Sequence, residues 1–269
     1  MSFPSQLSLV VAYSGQRAFK SQLARNAFNQ RVACYQLAEM LMRQTWPPAA
    51  SMQHLRDLTP ERLNLGADEM YRVLARLPQS ATRNELRKML PDHADQLDRI
   101  LSTHQHRGGY DLRGVTLFGL SEIVRAEQYS RLLSSGDLDA LGRSMRASHD
   151  GDRVTVHRNG KVIAWKPRLD PRTLEDLASR QADLATQCGR YACSTEAVDA
   201  LVDIACGVDG VVGAQLAGAG LGGSMMILAR RGATDELIDR LGREFYQPRG
   251  LEFAAQVMTP VAGAGVLSL

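Results

Sequence analysis

The sequence predicts an α+β fold: a layer of antiparallel strands with long helices, a helical insert and an inserted hairpin. Three observations point there. Short apolar, β-rich runs stand at residues 8–14, on both sides of a glycine-rich loop around Gly220, and at residues 253–258. Between them lie long stretches with apolar residues at helical spacing. The two kinds of segment alternate irregularly, which suits helices layered on an antiparallel sheet better than a doubly wound parallel one.

The 269 residues suffice for one large or two small domains with an ordinary core. The net charge of +3 is small and spread along the chain. No basic block with interleaved aromatics occurs, which argues against a nucleic-acid partner. No apolar run approaches the roughly 18 residues of a membrane span. Residues 7–13 are too short and too weakly flanked for a secretory signal. The four cysteines (Cys34, Cys188, Cys193 and Cys206) form no C-x-x-C pair and have no zinc-type histidine spacing beside them. They read as reduced, partly buried thiols of a cytoplasmic protein, and no metal ligand is assigned.

Taken in order, residues 8–14 form a strand bounded by Gly15. A helix over about 21–43 follows, with Phe28, Val32, Tyr35 and Met42 on one apolar face, and Pro47-Pro48 stops it. Residues 49–107 read as helical and polar. Thr59-Pro60-Glu61 is an N-cap with proline at the first helical position. Thr82-x-x-Glu85 is a capping box leading into Leu86, Met89 and Leu90. His104 and His106 could together bind a metal, but their polar surroundings favour a solvated loop.

A long helix is expected over 115–133, with Leu117, Leu120, Ile123, Val124 and Leu132 as core positions, broken at Ser135-Gly136-Asp137. A further helix covers 137–147. The hexapeptide Ser148-His149-Asp150-Gly151-Asp152-Arg153 invites a catalytic reading, but Asp-Gly at its centre favours a turn. Residues 153–165 alternate apolar and polar around Asn159-Gly160, a hairpin signal. Asp170-Pro171 then caps a polar helix reaching about Cys188, and the whole block reads as an inserted surface feature. Ser194 or Thr195 caps a helix through Val198, Leu201, Val202 and Ala205. Thr234-Asp235-Glu236 opens an amphipathic helix, its acids placed where the helix dipole favours them. A last strand covers 253–258, and residues 260–265 form a glycine-containing turn.

The organising stretch is the loop containing Gly218, Ala219, Gly220, Gly222 and Gly223. Its letters fit Gly-x-Gly-x-x-Gly, but the dinucleotide fingerprint requires a helix directly after the loop. Here Ser224 to Ala229 reads as a strand, so the loop joins strand to strand. Two readings stay open: a tight turn packed closely on a neighbour, or a concavity of backbone N–H groups that binds an anion.

Several segments then resemble, in order, the galactokinase branch of the GHMP small-molecule kinases. Leu9-Val-Val-Ala-Tyr-Ser14, with Phe28-Asn29-Gln30-Arg31 and Cys34, resembles that family's strand ending in Ser and its Tyr-Asn-x-Arg-Arg-x-x-Cys helix. Leu55-Arg56-Asp57-Leu58-Thr59 is similar to its Leu-Arg-Asp-Val-Thr segment. Gly136-Asp137-Leu138 through Gly142, Met145 and Ser148-His149 resembles its Gly-Asp…Gly…Leu-Met…Ser-His helix. Tyr191-Ala-Cys-Ser194 through Asp199, Leu201 and Val202 is similar to its Tyr-x-Val-Ser…Leu-Asp-x-Leu-Val run. Residues 210–224 resemble its third signature, the glycine loop, and Val257-x-x-Pro260 with Gly263-Ala-Gly265 its final strand and tail.

The resemblance implies a chain, residues 1–269, that is the C-terminal portion of such a kinase, with inserts at about 46–107 and 150–189. The family's sugar-holding first signature, its ATP-cradling second signature and its catalytic Asp have no counterpart here, so the N-terminal half is expected to be absent and no catalytic residue is assigned. The implied activity is phosphorylation of a sugar hydroxyl by ATP with Mg²⁺, both held mainly by an N-terminal half-kinase partner, while Gly218 to Gly223 frame the phosphates. Phe28 is the implied sugar-proximal residue, in place of a Tyr whose hydroxyl contacts the sugar. Losing that bond leaves galactose, arabinose and a uronic acid open as the sugar. Two other readings remain: a non-catalytic sugar- or protein-binding module derived from the kinase fold, and a truncated chain without function.

Overall fold

The computed structural model describes residues 3–17, 22–158 and 161–261. The elements run, in chain order, β1 (Leu7–Tyr13), α1 (Gln22–Thr45), α2 (Pro60–Leu63), α3 (Ala67–Arg76), β2 (Ser80–Ala81), α4 (Arg83–Met89), α5 (Ala94–Ser102), β3 (Tyr110–Asp111) and α6 (Leu112–Ser135). Then come α7 (Leu138–Asp152), β4 (Thr155–Arg158), β5 (Lys161–Ala164), α8 (Pro171–Ser179), α9 (Glu196–Cys206), β6 (Val211–Leu216), β7 (Ser224–Arg230), α10 (Thr234–Leu241) and β8 (Ala255–Met258). This is the α+β architecture that the periodicities predict. No helix among the described residues is long and apolar enough to cross a membrane.

The main sheet has four strands in the order β6-β7-β1-β8, every neighbouring pair antiparallel. Opposite residues share a face, so Val10 and Ala12 lie with Ile227, Met225, Ala214 and Leu216. That face is buried under Val198, Leu201 and Val202 of α9 and Leu237 and Leu241 of α10. On the other face Leu7 and Leu228 pack on Leu141 and Met145 of α7. Here α7 crosses β6 very closely: a Cβ on Gly142 would stand 2.1 Å from the Val212 carbonyl oxygen, so only glycine fits. Val212 itself sits in a bulge of β6, between Val211 and Gly213.

The second core is helical and is built by α1, α3, α5, α6 and α8. The segment 49–107, polar in composition, is helical as expected, yet it buries Met70, Tyr71, Leu74, Leu97 and Leu101. Buried Arg113 on α6 donates to the carbonyls of Leu74, Ala75 and Leu77 at the end of α3 and to that of Leu169, at 2.6–3.2 Å. A cation there sits where the carbonyl end of α3 favours positive charge. Both predicted N-caps form: Thr59 accepts from Arg62 N, and Thr82 and Glu85 make a reciprocal capping box.

Three expectations are corrected. The hexapeptide from Ser148 to Arg153 is not a turn; α7 continues through Asp150-Gly151 to Asp152. Its last carbonyls are taken by a neighbouring segment: Tyr191 N and Ala192 N donate to Gly151 O, and Ser194 N to Asp152 O. Glycine is needed there for contact, because a Cβ on Gly151 would meet the Phe118 ring and the Cys188 carbonyl at 2.3 Å. The helix after Asp170 ends at Ser179 rather than near Cys188, with Gln181 in the left-handed region and Leu184 turning back into the core. Finally, His104 is not in a solvated loop: it is buried, 2.9 Å from both the Tyr110 hydroxyl and the Thr103 hydroxyl. Strands β4 and β5 pair as predicted, while the Asn159-Gly160 turn, Ser21 and Gly263-Ala-Gly265 lie outside the described residues.

Candidate functional site

The glycine loop spans residues 217–223 between β6 and β7, and at Gly220 it is the closely packed turn of the first reading. Gly218, Gly220, Leu221, Gly222 and Gly223 all have positive φ, from 61° to 115°. Gly220 is the packing glycine: its Cβ position lies 2.1 Å from the Cys193 carbonyl oxygen, which accepts the Leu221 N–H. Gly223 ties the loop to the end of β1, donating to Gln16 O at 2.7 Å and accepting from Ser14 N and Ser14 Oγ. The amides of Gly218, Ala219, Gly220 and Gly222 meet no protein acceptor among the described residues. They are the loop's unshared donors.

Gly218 and Ala219 form the rim of a cavity of about 480 Å³ that also takes in α1, α6 and α7. Its wall is an aromatic stack: Tyr191 lies face to face with Phe118 at 4.9 Å and with Tyr35 at 5.9 Å. Burial pushes both tyrosine hydroxyls well above their usual range, so they stay protonated. Two carboxyl groups face the same space, Glu122 from α6 and Asp152 from the last residue of α7, with Ser148 one turn earlier. Burial, then the neighbouring Glu122 charge and that of Asp199, push the Asp152 carboxyl up to about 7, against the opposing Cys193 N–H and Arg125. Near neutral pH it therefore titrates. No Lys or Arg lines the cavity.

Sequence reasoning located the loop but not the acids. Glu122 stands among apolar positions of α6, and Asp152 was hidden in a stretch read as a turn. Phe28 lies two turns before Tyr35 on α1, about 10 Å along the axis, 40% exposed and outside the cavity lining. His149 is outside the cavity lining and is buried against Asp199. Among the described residues no group of three His, Cys, Asp or Glu could hold a metal ion, and all four cysteines are unpaired.

The arrangement offers hydrogen-bond donors at a rim and carboxyl and aromatic groups within. Backbone amides suit phosphate oxygens. The cavity is lined by two carboxyl groups, Asp152 and Glu122, the latter paired with buried Arg125, and suits a neutral ligand rich in hydroxyls. The loop's amides fit one part of a nucleotide, its phosphates, while the cationic groups and metal ligands that phosphoryl transfer requires are not supplied by this cavity.

Residues 129–247 match the family model for the C-terminal domain of GHMP kinases, a span that includes α7, α9 and the glycine loop. No curated protein matches the chain in sequence. Among solved structures, the chain is similar to Lactococcus lactis galactokinase in complex with galactose, with a TM-score of 0.55 and 17% identity over 95% of this chain. The matched part is 45% of that galactokinase, so the chain spans less than half of its length. Residues 129–247 are thus similar to the C-terminal domain of GHMP kinases, and the fold is similar to that of a galactokinase.

Proposed function

We propose that the chain supplies the C-terminal half of an ATP-dependent sugar kinase that phosphorylates a sugar hydroxyl. The observation that carries this reading is the glycine loop: four unshared amides, those of Gly218 and Ala219 at the rim of a cavity whose interior suits a hydroxylated ligand. In that role Gly218, Ala219, Gly220 and Gly222 frame phosphate oxygens, and Gly223 anchors the loop. Asp152 and Glu122 accept hydrogen bonds from sugar hydroxyls, and the Tyr191 ring offers an apolar face. ATP and Mg²⁺ are held mainly by an N-terminal half-kinase partner, which also brings the catalytic base. Such a division is consistent with the match to 45% of a galactokinase. Four unpaired cysteines fit a cytoplasmic setting.

The sugar is galactose, arabinose or a uronic acid. Phe28 has no hydroxyl to offer, and two cavity acids disfavour a carboxylated sugar unless Asp152 is protonated.

The test is calorimetric titration of Mg-ATP into the purified chain, with and without a co-expressed N-terminal half from a related kinase. Binding that needs the added half supports the split kinase. Absence of nucleotide binding in both preparations, from folded protein, removes it. That outcome would favour a second reading, a non-catalytic sugar-binding module. Its support is the Phe118–Tyr191–Tyr35 stack beside two carboxyl groups, which needs no nucleotide.

A further inference from the structure

A second concavity, of about 330 Å³, lies where α7 crosses the bulged start of β6. It lies at the opposite end of strands β6 and β7 from the glycine loop. Arg143 and Arg146 from α7 and Arg230 from the end of β7 line it, together with Leu138, Asp139 and residues 210–212. Arg146 is already engaged: its guanidinium donates to the bulged Val212 carbonyl at 3.2 Å. That bond covers a backbone acceptor that would otherwise repel an anion. Arg143 and Arg230 form no ion pair with any carboxylate among the described residues.

The placement is held rigidly. Gly142 seats α7 against Val212, and a Cβ on Gly213 would stand 2.9 Å from Met145 Cβ, so helix and strand are in direct backbone contact between the arginines. Like charges at i and i+3 on a helix repel. Here they are joined by a third from the neighbouring strand, with Asp139 as the single opposing charge. Three guanidinium groups against one carboxylate leave two positive charges uncompensated, the charge of a phosphate monoester. Arginine also presents paired N–H groups that match phosphate oxygens.

We propose that this concavity is a phosphate-binding site for a small phosphorylated molecule, separate from the glycine loop, with Arg143 and Arg230 as its principal ligands and Arg146 as the residue that shapes it. The proposal does not depend on the kinase reading, since no group of the glycine loop takes part.

The test follows the arginine Nε–Hε signals of the ¹⁵N-labelled chain by NMR while inorganic phosphate is added at constant ionic strength. A hexose 1-phosphate and ATP are titrated in parallel to separate sources of the phosphate. Saturable shifts at Arg143, Arg146 and Arg230, absent with chloride, are expected. R143Q and R230Q should each weaken phosphate binding by about tenfold with an unchanged Tm, because both side chains are exposed. A linear response equal to that of chloride would overturn the proposal. So would saturable binding that survives in the R143Q/R230Q double variant, which would place the phosphate elsewhere.

Discussion

His149 on α7 and Asp199 on α9 face each other at 3.3 Å, and neither side chain is exposed to solvent. The other carboxylate oxygen of Asp199 accepts from Val154 N, Thr155 N and Thr155 Oγ1 at 2.8–3.0 Å. One side chain therefore joins α7, α9 and the start of β4. Burial works to raise the Asp199 carboxyl, but His149, Ser194 and the Thr155 amide outweigh it and hold it below the usual range. Asp199→Ala strands two amides, a hydroxyl and an imidazole in the core. We expect a loss on the order of 3–5 kcal/mol, read from the urea midpoint, with Asp199→Asn losing less. Because the Asp199 carboxyl is held down, its contribution is present above about pH 4 and is lost as pH falls further.

Asp152 has the opposite sign. Its carboxyl is pushed up to about 7, so between about pH 4 and 7 the folded chain holds a proton that the unfolded chain has released. Stability from this group rises as pH is lowered from 7 toward 4. Asp152→Asn should flatten that part of the profile and raise the Tm at pH 7.5. A Tm profile from pH 5 to 8 for both proteins checks it; parallel profiles would contradict it.

His104 acts against Asp152 in the same range. Burial, then the Arg83 and His106 charges, push its imidazole down to about 4. The unfolded chain takes up a proton near pH 6.5 while the folded one refuses it, so stability is lost as pH falls from about 6.5 to 4. His104→Gln should remove this acid sensitivity, at the expense of the contacts to Tyr110 and Thr103. Denaturant melts at pH 5 and 7 measure both effects.

The loop glycines should separate packing from binding. Gly220→Ala places a methyl group 2.1 Å from the Cys193 carbonyl at a φ of +78°, whereas Gly218→Ala meets open space at +84°. Both variants suffer left-handed strain of about 1 kcal/mol. Only Gly220→Ala must also displace backbone, so its Tm should fall further. If Gly218 frames phosphate, Gly218→Ala should weaken Mg-ATP binding by the reconstituted kinase with only a small Tm change.

Where local chemistry decides, the sequence was legible. Thr59, Thr82 with Glu85, and Thr195 cap helices as their spacing requires, and the strand–loop–strand around Gly220 is present. Where distant backbone decides, it was not. Asp150-Gly151 reads as a turn until Tyr191, Ala192 and Ser194 cap the helix that runs through it. His104 reads as solvated until Tyr110 is folded over it. The cavity acids belong to the same class: Glu122 and Asp152 meet only because α6 and α7 pack side by side, and no pattern along either helix encodes that meeting.

The continuation of α7 through Asp150-Gly151 also bears on chemical ageing. An Asp-Gly bond isomerises when the glycine nitrogen attacks the aspartyl side-chain carbonyl and closes a succinimide ring, a step that depends on bringing the two atoms together. In the folded chain Gly151 lies within the helix, and the Asp150 carboxylate is held by Arg153 at 2.9 Å. Isoaspartate at residue 150 should therefore accumulate only in molecules whose last turn of α7 has opened, which makes it a chemical clock of local unfolding at the cavity wall.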